Sequence, residues 1–257
     1  MIQDLTALAA ELASAAGRMV LDGRRAGVTD ARTKSSATDV ATEWDRASEA
    51  FLVGELARRR PDDAVIAEEG STASGSSGLT WLLDPIDGTT NFVYDLPGYA
   101  VSVAATDADG PLAAAVYLPV TDELFTAGRG TGARRNGEPI TCSTETDPAK
   151  ALVATGFSYL VEHRRRQAQR AARLLAEVRD IRRLGAASVD LCYAAMGRVD
   201  AYYEEGLMPW DLAAGWLIAI EAGATVGAID HGPARPDSVL AAAPGLFDWL
   251  RTALADR

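Results

Sequence analysis

The chain is poor in the residues on which disulfide scaffolds and soft-metal sites depend. Its 257 residues include two cysteines, Cys142 and Cys192, and two histidines, His163 and His231. The cysteines are far apart with no second pair, so no disulfide framework, zinc knuckle or redox dithiol is spelled out. The histidines lack a partner at ligand spacing, and both are expected at the surface. No apolar run reaches the ~18 residues of a membrane-spanning helix. The N-terminal segment carries Asp4 and Glu11 and lacks a basic start, so it does not read as a secretory signal. Positive charge is also scarce: 25 Lys and Arg stand against 36 Asp and Glu, a net charge of −11. A field of that sign repels nucleic acid and anionic membranes, and would repel a phosphorylated substrate unless metal cations intervened. A reducing cytoplasm is the expected compartment.

What the chain does have is an ordinary globular composition, 48% hydrophobic and 24% charged. At ~150 residues per domain its length suits one large domain or two intimate ones. Helical apolar spacing predicts a helix over 3–22 ending near Gly23, and another over 42–59 stopped by Pro61. Strands are expected at 64–67, 79–83, 99–107 and 112–118, with a flexible Gly/Ser loop at 70–78 and an Asn136-Gly137 hairpin turn. After Pro148 strands (151–155, 199–203, 224–229, 239–243) alternate with helices (162–178, 186–196, 209–222, 245–255). The division is therefore an α+β half, 1–147, and an α/β half with a partly parallel or mixed sheet, 148–257.

The sharpest segment is Trp81-Leu82-Leu83-Asp84-Pro85-Ile86-Asp87-Gly88-Thr89-Thr90. A buried strand delivers Asp84, and Asp87 follows three residues on. Two carboxylates this close in a half-buried turn call for a cation between them. Free N–H groups from Gly88 to Thr90 would cradle a phosphate if a helix starts there. The alternative is an Asx-rich turn with Thr as helix N-cap. Glu68-Glu69 ends a strand and reads as a ligand pair or as a solvated pair. Asp211, in Pro209-Trp210-Asp211, is a ligand or a dipole-favourable first-turn acid. Asp39, Thr42 and Asp45 recur every three residues, as a shared helix face or a plain helix start.

Taken together these blocks resemble the inositol monophosphatase family, the metal-dependent, lithium-sensitive sugar-phosphate phosphatases. Its Asp-Pro-Ile-Asp-Gly-Thr core stands as Asp84 to Thr89, its Glu-Glu as Glu68-Glu69, and its Trp-Asp as Trp210-Asp211. Its Asp-x-x-Thr-x-x-Asp helix stands as Asp39, Thr42 and Asp45, after Lys34. The blocks keep family order, and the second half looks most like bacterial, particularly actinobacterial, members. The resemblance implies a layered αβαβα sandwich of the inositol monophosphatase and fructose-1,6-bisphosphatase type. It implies two or three Mg²⁺: one on Glu68, Asp84 and the Ile86 carbonyl, one on Asp84, Asp87 and Asp211, and a weaker one near Glu68 and Glu69. Catalysis would rest on Thr89, Asp45 and Glu68, with Thr89, helped by Asp45, orienting a metal-bound water. Asp87, Gly88, Thr89 and Thr90 would meet the phosphate end of the substrate; Gly185, Ala187 and Glu204 would line its alcohol. The implied reaction is hydrolysis of myo-inositol 1-phosphate. Histidinol phosphate or another small phosphomonoester is the alternative substrate, and a non-catalytic regulatory binding protein is a third reading. A phosphorylated polyol and a second copy of the chain are the expected partners, with no nucleic acid and no membrane. One departure bears on substrate choice: Gly185 is followed by Ala186 and Ala187 where a hydroxyl residue is usual, so that hydroxyl is absent or displaced.

Three features read as bland. Gly128-x-Gly130-x-x-Ala133 mimics a dinucleotide fingerprint but leads into a hairpin, not a helix. The basic run Arg164-Arg165-Arg166 with Arg170 and Arg173 reads as a solvated helix face. Glu205, beside Glu204, reads as a solvent-facing loop acid.

Overall fold

A computed structural model describes residues 1–27, 31–33 and 40–255, so Lys34 and Asp39 lie outside the described residues. The first half runs α1 (Ile2–Ala26), β1 (Arg32–Thr33), β2 (Val40–Ala41), α2 (Glu43–Arg59), β3 (Ala64–Ala67), β4 (Thr72–Ala73), β5 (Thr80–Asp87) and α3 (Thr89–Val93). A meander follows: β6 (Ala100–Asp107), β7 (Gly110–Leu118), β8 (Glu123–Gly128), β9 (Ala133–Arg135) and β10 (Glu138–Pro139). Next come β11 (Leu152–Thr155), α4 (Val161–Leu175), β12 (Asp180–Arg182), α5 (Ala187–Ala195), β13 (Ala201–Glu204) and α6 (Pro209–Glu221). The described chain closes with β14 (Thr225–Gly227), β15 (Val239–Ala242) and α7 (Phe247–Leu254).

Eight strands form one sheet in the order β10-β9-β8-β7-β6-β5-β3-β4, antiparallel except where β3 runs parallel to β5. Five form the other, β12-β11-β13-β15-β14, parallel across its first three strands and antiparallel beyond. Both sheets are buried on both faces. Along β6, Val101, Val103 and Ala105 pack under α1 and α2, while Ala100 and Ala104 face the opposite way, toward α5 and α6. Along β13, Tyr202 faces that same central helical layer and Tyr203 faces α4 and α7. Two-sided burial explains why these strands read as continuous apolar runs rather than alternating ones. The layers are thus αβαβα, with α5 and α6 packed against both sheets.

Several local expectations are corrected. Helix α1 continues a turn past Gly23. A Cβ there would stand 2.3 Å from the Trp44 ring, so this glycine permits helix packing and does not end the helix. The 70–78 segment is tied down: β4 pairs with β3, and the Ser76 and Ser77 N–H groups donate to the Asp62 carbonyl at 2.7 and 3.0 Å. Strands β8 and β12 were not foreseen; both are short and carry polar residues at alternate positions or ends. The Asp-Pro-Ile-Asp stretch belongs to β5 itself, with an irregular register between Asp84 and Asp87. The dinucleotide-like glycines form the turn from β8 into β9, as expected.

Candidate active site

A cavity of about 290 Å³ lies at the end of β5, between the two halves of the chain. Strand β5 brings Asp84, Ile86 and Asp87 to its wall, and β3 brings Glu68 through the parallel ladder that the Glu68 N–H extends to the Leu83 carbonyl at 3.2 Å. The second half contributes Glu204 from β13 and Asp211 from the first turn of α6.

Each of three aspartates has one oxygen fixed by a backbone donor. Asp84 Oδ1 accepts from the Ile86 N–H at 3.0 Å. Asp87 Oδ2 accepts from the Ser188 N–H at 2.6 Å and the Ser188 hydroxyl at 2.5 Å. Asp211 Oδ2 accepts from the Met208 N–H at 2.7 Å, so this acid caps its own helix and lines the cavity at once. The Ser188 contact bears on one departure noted above: a hydroxyl is present, two positions further on, and it grips Asp87.

The electrostatics follow from burial among like charges. Burial raises Asp84 well above the usual carboxylate range, and Glu68, Asp87 and Asp211 add to the effect. Burial pushes Asp87 up to about 6, against the pull of its Ser188 hydrogen bonds. Asp211 is raised well above its ordinary value by burial and by Asp87. Glu204 rises to about 7 through burial, although Tyr202 donates its phenol hydrogen to Glu204 Oε2 at 2.8 Å. Among the described residues no three such side chains are drawn into a closed coordination set. The donors are nevertheless hard oxygens, three of them oriented by backbone N–H groups, with Arg183 the one basic side chain on the wall among the described residues. That composition fits Mg²⁺, which takes few protein carboxylates and keeps much of its water.

Thr89 also lines the cavity. Its hydroxyl lies 3.0 Å from Asp45 Oδ1 and 2.9 Å from the Ile86 carbonyl. Asp45 is buried outside the cavity wall. It forms a capping box with Thr42, accepting from the Thr42 N–H at 2.7 Å and the Thr42 hydroxyl at 2.5 Å. Gly88 stands at φ 89°, and a Cβ there would meet the Gly98 carbonyl at 2.8 Å, so only glycine fits this turn. Gly185 and Ala187 line the cavity. Thr90 lies outside this wall and faces an adjoining recess. Glu69 also lies off the wall, its N–H donating to Glu49 Oε2 at 2.7 Å.

Supporting residues escaped the sequence reading. Glu49, 3% exposed on α2, caps the 68–71 turn through the N–H groups of Glu69 and Ser71. Ser48 donates to the Pro85 carbonyl at 3.0 Å. Both follow Asp45 on the same helix, a signal available in retrospect. Asn91 Nδ2 donates to the carbonyls of Gly98 and Leu184 at 2.5 and 2.7 Å, tying α3 to the loop before α5. Gly156 gives Glu204 its space: a Cβ there would stand 2.0 Å from the carboxylate. The solvated-face expectation for α4 fails at Arg170, which is 3% exposed and donates to Glu205 Oε2 at 2.5 Å. Glu205 is correspondingly held rather than solvent-facing, because a buried guanidinium demands an anionic partner.

An αβαβα sandwich with oxygen donors from both halves around a Thr–Asp pair defines a site suited to phosphate-ester chemistry. The chain belongs to the inositol monophosphatase family, whose model matches residues 1–255. It is 44% identical over 244 residues to the inositol-1-monophosphatase SuhB of Mycobacterium tuberculosis H37Rv, covering 90% of this chain and 83% of that protein. It is 36% identical over 227 residues to the Nus factor SuhB of Escherichia coli K12, covering 88% and 85% respectively. The solved structure of the extragenic suppressor protein suhB from Bartonella henselae superposes with a TM-score of 0.92 at 33% identity, over 97% of each chain. The protein is thus a phosphatase of this family.

Proposed function

We propose that the protein hydrolyses phosphate monoesters of small polyols, myo-inositol 1-phosphate first among them, to the alcohol and inorganic phosphate, with Mg²⁺ as cofactor. The observation that carries the reading is the convergence of Glu68, Asp84, Asp87 and Asp211 on one cavity directly above the Thr89–Asp45 pair. Glu68, Asp84 and the Ile86 carbonyl would hold one ion, and Asp84, Asp87 and Asp211 a second. Bound there, Mg²⁺ supplies charge neutralisation for the phosphate and acidifies its water.

The residues of the chain do the positioning. The Thr89 hydrogen is committed to Asp45 or to the Ile86 carbonyl. Toward the cavity the hydroxyl can therefore only accept a hydrogen bond from the attacking water, which turns the water's lone pair toward phosphorus. The N–H groups of Gly88 and Thr89 hold the phosphate, and Gly185, Ala187 and Glu204 contact the alcohol. The buried Glu204 carboxylate would suit an ammonium group, which makes histidinol phosphate the second reading. A homodimer working in the cytoplasm and inhibited by lithium completes the proposal; among the described residues no helix is long and apolar enough to cross a membrane. The test is phosphate release from inositol 1-phosphate, histidinol phosphate and other phosphomonoesters, with Mg²⁺ and with chelator. Mg²⁺-dependent release led by inositol 1-phosphate is expected. Release led by histidinol phosphate would transfer the assignment, and no release from any ester would reject it.

A further inference from the structure

Two loops of the second half line the cavity side by side. Residues 156–159 leave the end of β11 and residues 205–208 leave the end of β13, and all but Glu205 stand on the wall. The two strands are parallel neighbours whose pairing stops at Thr155 and Tyr203. Past that point no ladder joins the loops, yet they abut: a Cβ on Gly206 would stand 3.9 Å from Ser158 Oγ. What joins them is the inward face of α4. Gln167 is 4% exposed and uses both ends of its amide. The Ser158 N–H donates to Gln167 Oε1 at 2.8 Å, and Gln167 Nε2 donates to the Glu205 carbonyl at 3.1 Å. Three residues earlier, Arg164 Nε donates to the Ser158 carbonyl at 3.0 Å; three residues later, Arg170 Nη1 donates to Glu205 Oε2 at 2.5 Å. That spacing puts the three side chains on one helix face, while Arg165, Arg166, Ala168 and Gln169 between them are exposed. Among the described residues, none of α4 lies on the cavity wall.

A neutral amide is suited to this place because it offers an acceptor to one loop and a donor to the other. Resting on the phosphatase reading, we propose that Gln167 is a positioning residue that sets the spacing of the two loops, and so selects the substrate alcohol without touching it. Glu204 immediately precedes the clamped Glu205, and its carboxylate fills the space that a side chain on Gly156 would take. A shift of either loop therefore moves Glu204 against the wall it faces. The phosphate end of the ester belongs to Asp87, Gly88 and Thr89 of the first half, so the clamp acts on the alcohol end.

The test is calorimetric titration, in Mg²⁺ buffer, of myo-inositol 1-phosphonate, which is not turned over, and of inorganic phosphate, which has no alcohol. Gln167→Glu keeps the shape and the acceptor for the Ser158 N–H, and Arg164 and Arg170 flank its charge. It replaces the donor with an oxygen set against the Glu205 carbonyl. The variant is expected to bind the phosphonate about tenfold more weakly and phosphate within about twofold of the unaltered protein, the scale of a lost hydrogen bond. Arg164→Met, on the half-buried edge of the same face, should show the same selective loss at about threefold, and it decides the matter if Gln167→Glu does not fold. In turnover of inositol 1-phosphate the loss should fall on KM, with kcat within about twofold. Equal losses for both ligands would mean that the clamp serves the fold alone, and overturn the proposal. Unchanged affinities overturn it too, as does an unaltered protein that binds the phosphonate no more tightly than phosphate. Because neither ligand is turned over, absence of phosphate release from any ester rejects the phosphatase reading while the binding contrast still reads the clamp.

Discussion

The two walls of the cavity are held in different ways. On the first-half wall the groups interlock over short sequence distances, Asp84 with the Ile86 N–H and Thr89 with the Ile86 carbonyl, and behind the wall Asp45 interlocks with Thr42 in the same way. On the second-half wall, among the described residues, Glu204 has one phenol, Arg183 has no hydrogen bond, and Asp190 behind them is 1% exposed with neither oxygen hydrogen-bonded. A wall of short, saturated contacts fixes geometry, as the chemical step requires. A wall of sparse contacts leaves charge available to the alcohol, which differs between substrates. On the proposed reading the difference divides turnover and selectivity between the halves, with Asp211 the second-half residue that would serve turnover.

The sharpest break of this comparison is removal of a shared acid. Asp87→Asn and Asp211→Asn should each lower turnover at least ~10²-fold on every substrate, beyond the 10–100-fold typical of outer-shell changes around a metal. Near-normal turnover in either variant removes that residue from the site. Next comes Thr89→Ala, expected to cost ~10²-fold in kcat with little change in KM, with Thr89→Ser restoring most of it. A pure KM effect would mean that Thr89 holds phosphate and does not position water.

The blocks on the first wall were legible in the sequence because their polar residues are close neighbours along the chain, as from Asp84 to Thr89. The layered fold was legible by resemblance, and its helices by apolar spacing. Ser188, Glu49, Asn91 and the Arg170–Glu205 pair were not, because each acts across a long loop or between halves. Asp87 and Ser188 are 101 positions apart, and Arg170 and Glu205 are 35. A basic helix face gives no local sign of which arginine turns inward. Strand β12 was lost because three residues, Asp-Ile-Arg, carry too short a period to register.

Two smaller effects sharpen the comparison. Asp87 and Glu204 stand near 6 and 7 in the folded state against ordinary values of 3.8 and 4.5, so ionising them opposes folding. The penalty is absent below the unfolded values, grows as pH rises through that window, and is complete above the folded values. The metal-free protein should therefore melt several degrees higher at pH 5 than at pH 7.5, at ~2–4 °C per kcal/mol, and saturating Mg²⁺ should shrink the difference. A melting temperature that falls on acidification would contradict the charge-crowding account. The smallest effect belongs to Glu204→Gln. It should lower kcat/KM for inositol 1-phosphate ~10-fold, the cost of one hydrogen bond to a charged group, and leave p-nitrophenyl phosphate nearly unaffected. Equal losses on both esters would move Glu204 from alcohol selection to the turnover wall.

The central claim is that carboxylates from both halves together hold the cation on which turnover depends. Its most direct measurement is a Mg²⁺ titration from full chelation upward, reading phosphate release from inositol 1-phosphate and melting temperature in the same samples. The account predicts no release in chelator and a joint rise of both signals over one concentration range, shifted at least tenfold higher in Asp211→Asn. Undiminished release in chelator, or a melting temperature indifferent to Mg²⁺, would contradict it.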